Sequence, residues 1–280
     1  MSKYLKVLLF GLFIFIGCED EKAVLQVGEV PLSFTKKVLI EEFTGAWCGY
    51  CPYGAYLIES MMEENDNIIG VGAHSGDAME ITQSNFLAAT YLNTGYPSGM
   101  VDRVTYNGSV PLNAGYWNYI AEDRLLNTPK CGLAIKSSVS GTNASIEVHA
   151  GFNTELDGDH RLTVYLVENK VTGSGNGYDQ SNFYNSDPSS PFFELGQPIE
   201  GYEHNNTLRA VLSEPLGDVL DSSLLVLGGE HVETYTVNIS AFNKNNLYAV
   251  AFIHFVGSSI LDHEILNVQK VEIEGFQDWD

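Results

Sequence analysis

Basic residues are scarce in this 280-residue sequence, which has 14 lysines and arginines against 36 aspartates and glutamates and a formal net charge of −22. Such an acidic balance repels phosphate backbones and anionic lipid surfaces, so it argues against nucleic-acid binding and against adsorption to a membrane surface. The sequence also lacks a Gly-x-Ser-x-Gly element and a glycine-rich phosphate-binding motif. These absences argue against a serine hydrolase and against a nucleotide-binding protein.

Cysteine is also scarce, with four residues in the chain. Cys48 and Cys51 are separated by two residues, but the sequence has no second Cys-x-x-Cys pair and no His-x₃-His pair nearby. Because a structural zinc ion requires four ligands, we predict no metal site and no cofactor. The spacing favours a pair that closes a small, reversible disulfide ring. Cys131 begins an apolar stretch and is predicted to be a buried thiol.

The first residues have the pattern of a targeting signal. Lys3 and Lys6 precede an apolar run over residues 7–16, which is too short to span a bilayer comfortably, and Gly17-Cys18 follows. A small residue directly before a cysteine is typical of a lipoprotein signal, so residues 1–17 are predicted to be removed and Cys18 to be lipidated. Plain secretion is the alternative. Residues 18–35 would then form an acidic tether, with the membrane reached through lipid alone.

The segment Trp47-Cys48-Gly49-Tyr50-Cys51 lies between a predicted strand and a predicted helix. Residues 37–43 are apolar and β-branched, and apolar residues recur at helical spacing over 57–62. A helix start presents unpaired N–H groups and a partial positive charge, so we expect a lowered pKa for the Cys48 thiol. Cys48 would be the attacking thiol, and Cys51, one turn into the helix, the resolving thiol.

Glu42 lies six positions before Cys48. On a strand that runs toward the helix, its carboxyl would lie beneath the cysteine pair, partly buried and with a raised pKa, where it would accept the proton of Cys51. The alternative is a solvated charge at the edge of the sheet.

Pro97 follows the pair by 46 residues, a separation that fits a strand over 67–73 and a helix over 84–92. We predict a cis peptide bond between Tyr96 and Pro97 that keeps a backbone edge open for an extended substrate, with an ordinary trans turn as the alternative. Trp47, Tyr50 and Tyr96 would line this substrate groove.

His74 and Asp77 follow the predicted strand over 67–73. Because ligands gather at the carboxyl edge of such strands, these residues would line the same cleft and tune the Cys48 thiolate. A structural hydrogen bond between them is the alternative.

The second half of the chain changes character. Short apolar or alternating runs separated by Asn, Gly and Asp turns predict an antiparallel β-sandwich over residues 129–280, with strands at 133–139, 145–152, 161–167, 223–227, 232–239, 247–255 and 268–273. A long polar loop is predicted over 172–218. Within it, His204 and Arg209 would contact the other domain or a partner, with an ordinary loop whose polar groups are hydrogen-bonded locally as the favoured alternative.

Four blocks of the sequence resemble a known family. Residues 41–52, 74–77, 96–103 and 204–209 look like the outer-membrane-protein family typified by a 28-kilodalton bacterial surface lipoprotein. The resemblance implies an α/β thioredoxin-like domain over 36–128, joined to an immunoglobulin-like β-domain, and an outer-membrane location. It also implies that Cys48 and Cys51 are a redox pair and that Pro97 is the cis-proline. The pair further resembles that of bacterial disulfide isomerases, which share the Gly-Tyr dipeptide.

Two functions follow as hypotheses. The first is a thiol–disulfide oxidoreductase tethered in the cell envelope, which would act on protein disulfides or on a redox partner through Cys48 and Cys51. The second is a surface binding or adhesion lipoprotein in which the same disulfide is only structural.

Overall fold

The computed structural model describes residues 26–280, so the predicted signal segment, Cys18 and the first part of the tether lie outside the described residues. Three α-helices are present in this part of the chain: α1 (Cys51–Glu64), α2 (Thr82–Thr90) and α3 (Trp117–Leu125). The strands are β1 (Val38–Thr44), β2 (Ile68–His74), β3 (Ser98–Val101), β4 (Cys131–Ser140), β5 (Asn143–Phe152), β6 (His160–Glu168), β7 (Thr207–Val211), β8 (Asp218–Val219), β9 (Glu230–Asn238), β10 (Leu247–Phe255), β11 (Ile265–Glu272) and β12 (Phe276–Gln277). Short 3₁₀ turns occupy Ala114–Tyr116, Ser222–Leu224 and Lys244–Asn246.

Strand β1 is buried along its whole length, and its side chains pack on both faces of the sheet that contains it. Val38 and Ile40 pack against α1 and α3, whereas Leu39 and Phe43 pack into a second core on the opposite face. Because side chains alternate across a strand, Glu42 points toward the α1 face. β1 pairs in parallel with β2 and antiparallel with β3, so α1 crosses from one parallel strand to the next.

The larger sheet joins both halves of the chain. Its order is β11-β10-β6-β7-β2-β1-β3, with β8 paired to β6. The two halves meet where β7 pairs in parallel with β2 through Gly72 and Thr207. The apolar face of β6 and β10 that contains Tyr165 and Phe252 shares one core with Leu39 and Phe43 of β1. The two halves that the sequence divides at residues 128 and 129 are therefore joined through one sheet, although the second half also has a core of its own.

A smaller sheet, β12-β4-β5-β9, covers the opposite face of β6 and β10. Alternating residues of β4 and β5, such as Leu133, Ile135 and Ile146, face Val164 and Ala249 of the larger sheet. The two-layer β packing expected from the alternating pattern is present, but one of its layers continues into β1–β3.

Some local expectations also need correction. The predicted strand over 223–227 is in part a 3₁₀ turn, because the Asp221 carboxylate accepts the backbone N–H of Ser223 and favours a turn. The predicted loop over 172–218 contains β7 and ends at β8. Helix α3 was not predicted. No helix of the described part of the chain is long and apolar enough to cross a membrane.

Candidate functional site

The cysteine pair lies in the turn between β1 and α1 and is closed as a Cys48–Cys51 disulfide. Cys51 is the first helical residue, so it is not one turn into the helix as predicted, and Cys48 precedes the helix by three residues. The reason is Pro52, whose missing N–H and fixed φ suit the first turn of a helix. Both residues are buried, with 5% of Cys48 and 1% of Cys51 exposed.

A segment of the second half packs on this turn, and we call residues 172–206 the covering segment. The Gln180 side-chain amide donates to the carbonyls of Ala46 (3.2 Å) and Cys48 (2.9 Å). The backbone N–H of Ser181 donates to Ala46 (2.7 Å) and that of Phe183 to Gly49 (2.9 Å). The covering segment therefore fixes the backbone on both sides of Cys48.

Gly49 is required by this contact. A Cβ added at position 49 would overlap the Phe183 ring. The glycine between the two cysteines thus allows the covering segment to lie directly against the turn.

Glu42 lies beneath the pair in a small cavity of about 20 Å³ that Cys51 also lines. The carboxyl is buried, with 3% of the residue exposed, and its Oε1 accepts no hydrogen bond from residues 26–280. Burial and then the charge of Glu59 raise the pKa of Glu42 well above its ordinary value. The structure therefore places this carboxyl in the interior and not at a solvated edge.

The Tyr96–Pro97 peptide bond is cis. A Cβ added at Gly54 of α1 would overlap Glu42 and would come within 3.0 Å of Pro97, so the glycine allows α1 to approach both residues. On the open side, Tyr50, Tyr96 and Pro97 line a groove of about 690 Å³ between α1 and the residues before α3.

The aromatic residues that line this groove are Tyr50, Tyr53, Tyr96 and Tyr184, whereas Trp47, which was expected to line it, does not. Tyr50 makes edge contacts with Phe183 (5.1 Å between ring centroids) and Tyr184 (5.7 Å) of the covering segment. Trp47, which is 49% exposed, lies edge-on to Tyr96 at 5.2 Å, and its indole N–H donates to the carbonyl of Ser75 (2.7 Å). Both halves of the chain thus contribute aromatic rings to the groove.

His74 and Asp77 are brought together, with 2.6 Å between His74 Nδ1 and Asp77 Oδ2. Asp77 also accepts the backbone N–H groups of Ala46 (2.7 Å) and Met79 (2.8 Å). Burial of Asp77 opposes ionisation, but the hydrogen bond from His74 and the backbone donors outweigh it and lower the pKa of Asp77. The pair therefore ties the end of β2 to the turn before Cys48.

His204 lies against His74, with 5.2 Å between ring centroids. Its Nε2 donates to the carbonyl of Tyr178 (2.7 Å), so the imidazole fastens two parts of the covering segment. Burial and then the neighbouring His74 lower the pKa of His204 to about 4. The expected contact of His204 with the first half is present, whereas Arg209 pairs with Glu168 (3.2 Å) of the second half.

Sequence reasoning missed Gln180 and Tyr202, both of which line the cavity of Glu42. Cys131 is buried, and burial raises the pKa of its thiol to about 12. Within residues 26–280, no group of three or more His, Cys, Asp and Glu side chains is arranged to hold a metal ion.

The fold and the site define a mixed α/β protein with two β-sheets and a buried disulfide at a strand-to-helix junction. A family model described as outer membrane protein Omp28 matches residues 83–277. The chain belongs to this outer membrane protein family, which supports a location in the outer membrane or cell envelope. The matched residues include Pro97 and the covering segment but begin after α1, so they do not include the cysteine pair.

Two solved structures are similar to this chain. HBP35 of Porphyromonas gingivalis is 21% identical, with a TM-score of 0.66 over 86% of this chain and 76% of that one. Protein AGR_C_4864 from Agrobacterium tumefaciens is 12% identical, with a TM-score of 0.52 over 86% of this chain and 96% of that one. At these identities the likeness concerns the fold. No curated protein matches the chain.

Proposed function

We propose that this protein is a thiol–disulfide oxidoreductase of the cell envelope that acts on protein disulfides. In this proposal β1, α1, β2 and β3 form a thioredoxin-like unit, the second half is a β-domain of immunoglobulin-like character, and a lipid on Cys18 tethers the chain to the outer membrane.

The position of Glu42 is the observation that carries the proposal. A buried carboxyl with an oxygen that accepts no hydrogen bond costs free energy, because its charged form loses hydration without a compensating ion pair. A disulfide with only a structural role does not need such a group. A carboxyl with a raised pKa in the cavity that Cys51 also lines is suited to take up and return a proton.

The chemistry is a reversible exchange. In the reduced pair, the Cys48 thiolate attacks one sulfur of a substrate disulfide, a mixed disulfide forms, and the other substrate sulfur leaves as a thiolate. Cys51 then loses its proton to Glu42 and attacks the Cys48 sulfur. The Cys48–Cys51 bond forms, and the second substrate thiolate leaves. The substrate gains two electrons, which a dithiol donor must supply to the pair again.

The substrate segment would lie in the groove beside Tyr50, Tyr96 and Pro97. The aromatic rings of Tyr50 and Tyr96 offer apolar contact area to such a segment. We therefore expect an extended peptide with an apolar residue next to its cysteine.

The test is the reduction of insulin disulfides with dithiothreitol as donor. The wild-type chain is expected to accelerate reduction, and Cys48→Ser is expected to abolish the effect. Cys51→Ser is expected to accumulate a mixed disulfide at Cys48, which mass spectrometry detects. A reduction potential below about −300 mV, as in structural disulfides, together with no turnover would contradict the proposal.

The aromatic groove also supports a second candidate, a binding protein with a permanent disulfide. In that case Cys48→Ser would still bind the same peptides as the wild-type chain. Peptide-array binding of both proteins, measured beside the insulin assay, separates the two functions.

A further inference from the structure

One face of α1 forms a wall of the groove along the length of the helix. Tyr53, Leu57, Met61 and Glu64 recur at spacings of three and four residues, so they lie on the same side of α1, and all four line the groove. The opposite wall comes from the start of α3 and from the turn before it. The groove therefore extends from the disulfide turn, where Tyr50 lines it, to the last turn of α1.

The length of this wall determines how much extended chain can lie along it. An α-helix rises about 1.5 Å per residue, so Glu64 lies about 20 Å along the helix axis from Cys51. An extended polypeptide advances about 3.3 Å per residue, so about six residues span this distance. A segment that lies along α1 with its cysteine at the disulfide therefore has its residue about six positions from that cysteine beside Glu64.

The chemistry of the groove changes along its length. Tyrosine rings surround the end next to the disulfide, and Leu57 and the buried Met61 continue the apolar wall. The far end has the exposed carboxylate of Glu64, which is the only charged side chain among the described residues that line the groove. A bound segment thus meets apolar contacts first and a negative charge last.

The far end of the groove has negative charge on both walls. Glu63 and Glu64 lie in the last turn of α1, where the helix macrodipole is also negative and no basic residue is present. Residues 38–102 contain no lysine or arginine. On the opposite wall, the Asn118 side-chain amide donates to the Glu122 carboxylate at 2.9 Å. Charge complementarity therefore favours a cationic side chain at this end.

We propose that the groove along α1 binds an extended substrate polypeptide in which a lysine or arginine lies about six residues from the cysteine. The inference rests on the redox function proposed above, because it places the cysteine of this segment at the Cys48–Cys51 pair. The tyrosines contact the apolar residue next to that cysteine, and Glu64 pairs with the basic side chain. Glu64 is thus a specificity-determining residue through which this acidic protein selects basic partners.

Peptide binding to the oxidised full chain, followed by fluorescence anisotropy, tests the inference without turnover. Each labelled peptide has serine in place of cysteine, a leucine next to it, and one arginine two, four, six or eight residues away, in one series on each side of the serine. One series is expected to bind best with the arginine near position six, about 5–10-fold more tightly than the same peptide with glutamate there, the size expected for an exposed charge pair. An affinity that does not depend on the position of the arginine would overturn the alignment along α1.

Charge reversal at the far end of the groove tests the pairing. Glu64→Lys is expected to bind the glutamate peptide more tightly than the arginine peptide. Glu63→Lys is the matched control, because it makes the same charge change in the same turn at a residue that does not line the groove. It is expected to keep the wild-type preference at physiological ionic strength, where charges more than about 8 Å apart are largely screened. An equal loss of preference in both variants would attribute the effect to overall acidity and overturn the role of Glu64.

Both variants are expected to fold, because a cation at the C-terminus of a helix is favourable. Circular dichroism of each variant checks this before binding is measured.

Exchange kinetics separate this inference from the redox function. In the reduced chain, the Cys48 thiolate attacks the peptide sulfur of a peptide–thionitrobenzoate mixed disulfide, and coloured thionitrobenzoate leaves. Cys51 then loses its proton to Glu42 and attacks the Cys48 sulfur, the Cys48–Cys51 bond forms, and the peptide thiolate leaves. Below saturation, the arginine peptide is expected to react about 5-fold faster than the glutamate peptide in the wild-type chain and not in Glu64→Lys.

Two results distinguish the possible failures. Equal rates for both peptides, each faster than with free glutathione, would overturn the inference and leave the oxidoreductase intact. Preferential binding of the arginine peptide with a rate no faster than that of free glutathione would overturn the oxidoreductase and support the groove as a binding site for basic peptides.

Discussion

Acidification should destabilise this protein through His204, and His204→Gln should reduce that sensitivity. The glutamine amide can replace the Nε2–H donor to the Tyr178 carbonyl, so the hydrogen bond of the covering segment is kept. The substitution removes an imidazole whose neutral form is favoured by burial and by the neighbouring His74.

The magnitude follows from linkage. The pKa of His204 falls from 6.5 in the unfolded chain to about 4 in the folded protein, so between these values the unfolded chain binds more protons. The folded pKa is the lower one, and stability is therefore complete above pH 6.5 and is lost as the pH falls toward 4. Lowering the pH from 6.5 to 5 covers 1.5 pH units, and each pH unit costs about 1.4 kcal/mol. The expected loss in the free energy of unfolding is therefore about 2 kcal/mol.

Urea unfolding of the oxidised protein at pH 7 and pH 5 measures this loss. Burial also lowers the pKa values of His160, His254 and His263, but their contributions are common to both proteins and cancel in the comparison. The free energy of unfolding of His204→Gln is expected to fall by about 2 kcal/mol less than that of the wild-type chain. The near-ultraviolet circular dichroism at pH 7 checks that the variant keeps its packing. Equal losses in the two proteins would refute the burial of a neutral His204.

Three further predictions concern the framework around the site. Glu41→Gln leaves the Arg103 guanidinium buried without the carboxylate that it binds at 2.7 and 2.8 Å, so urea unfolding should show a loss of about 3–5 kcal/mol, and an unchanged midpoint would contradict this. Cys131 should resist iodoacetamide at pH 8 in the folded protein and react after unfolding, because its thiol pKa is raised to about 12; mass spectrometry of the labelled peptide decides, and labelling of the native chain would count against it. Gly49→Ala should displace Phe183 and expose the covering segment, at a cost of about 1–3 kcal/mol, so limited proteolysis should cut within 172–206 faster than in the wild-type chain, and identical cleavage rates would argue against close packing.

Elements with a strong local pattern were predictable from the sequence. The bounds of β10 agree with the predicted run over 247–255, and β1 and β2 differ from the predicted 37–43 and 67–73 by one residue at each end. Each of these segments is apolar and bounded by turn residues, which is information carried by the segment itself. The pairing of β7 with β2 is different, because it joins Gly72 to Thr207 across 135 positions and nothing local specifies it. The single sheet that unites the two halves was missed for this reason.

The residues of the candidate site also differ in whether the sequence could predict them. Short motifs predict the pairing of Cys48 with Cys51 and the position of Pro97, and the structure shows the disulfide and places Pro97 in one groove with Tyr50. Gln180 reaches the turn through the carbonyls of Ala46 and Cys48, which every residue type possesses. Such a contact does not require a particular residue type at the position that accepts it. The role of the covering segment is therefore evident from the folded structure and not from the sequence.

Two adjacent glutamates of β1 show what strand periodicity predicts and what it does not. Alternation predicts that Glu41 and Glu42 lie on opposite faces, and both are buried. Glu41 is neutralised by Arg103 and also accepts the Tyr165 hydroxyl at 2.9 Å, so its burial holds β1 to β6. Within residues 26–280, Glu42 has no ion-pair partner, and its Oε1, which lies against Gly54 of α1, accepts no hydrogen bond. The glutamate on one face of β1 is therefore stabilised by an ion pair, whereas the glutamate on the other face is buried at a cost in free energy. The proton transfer from Cys51 that we propose would explain why this cost is kept at Glu42.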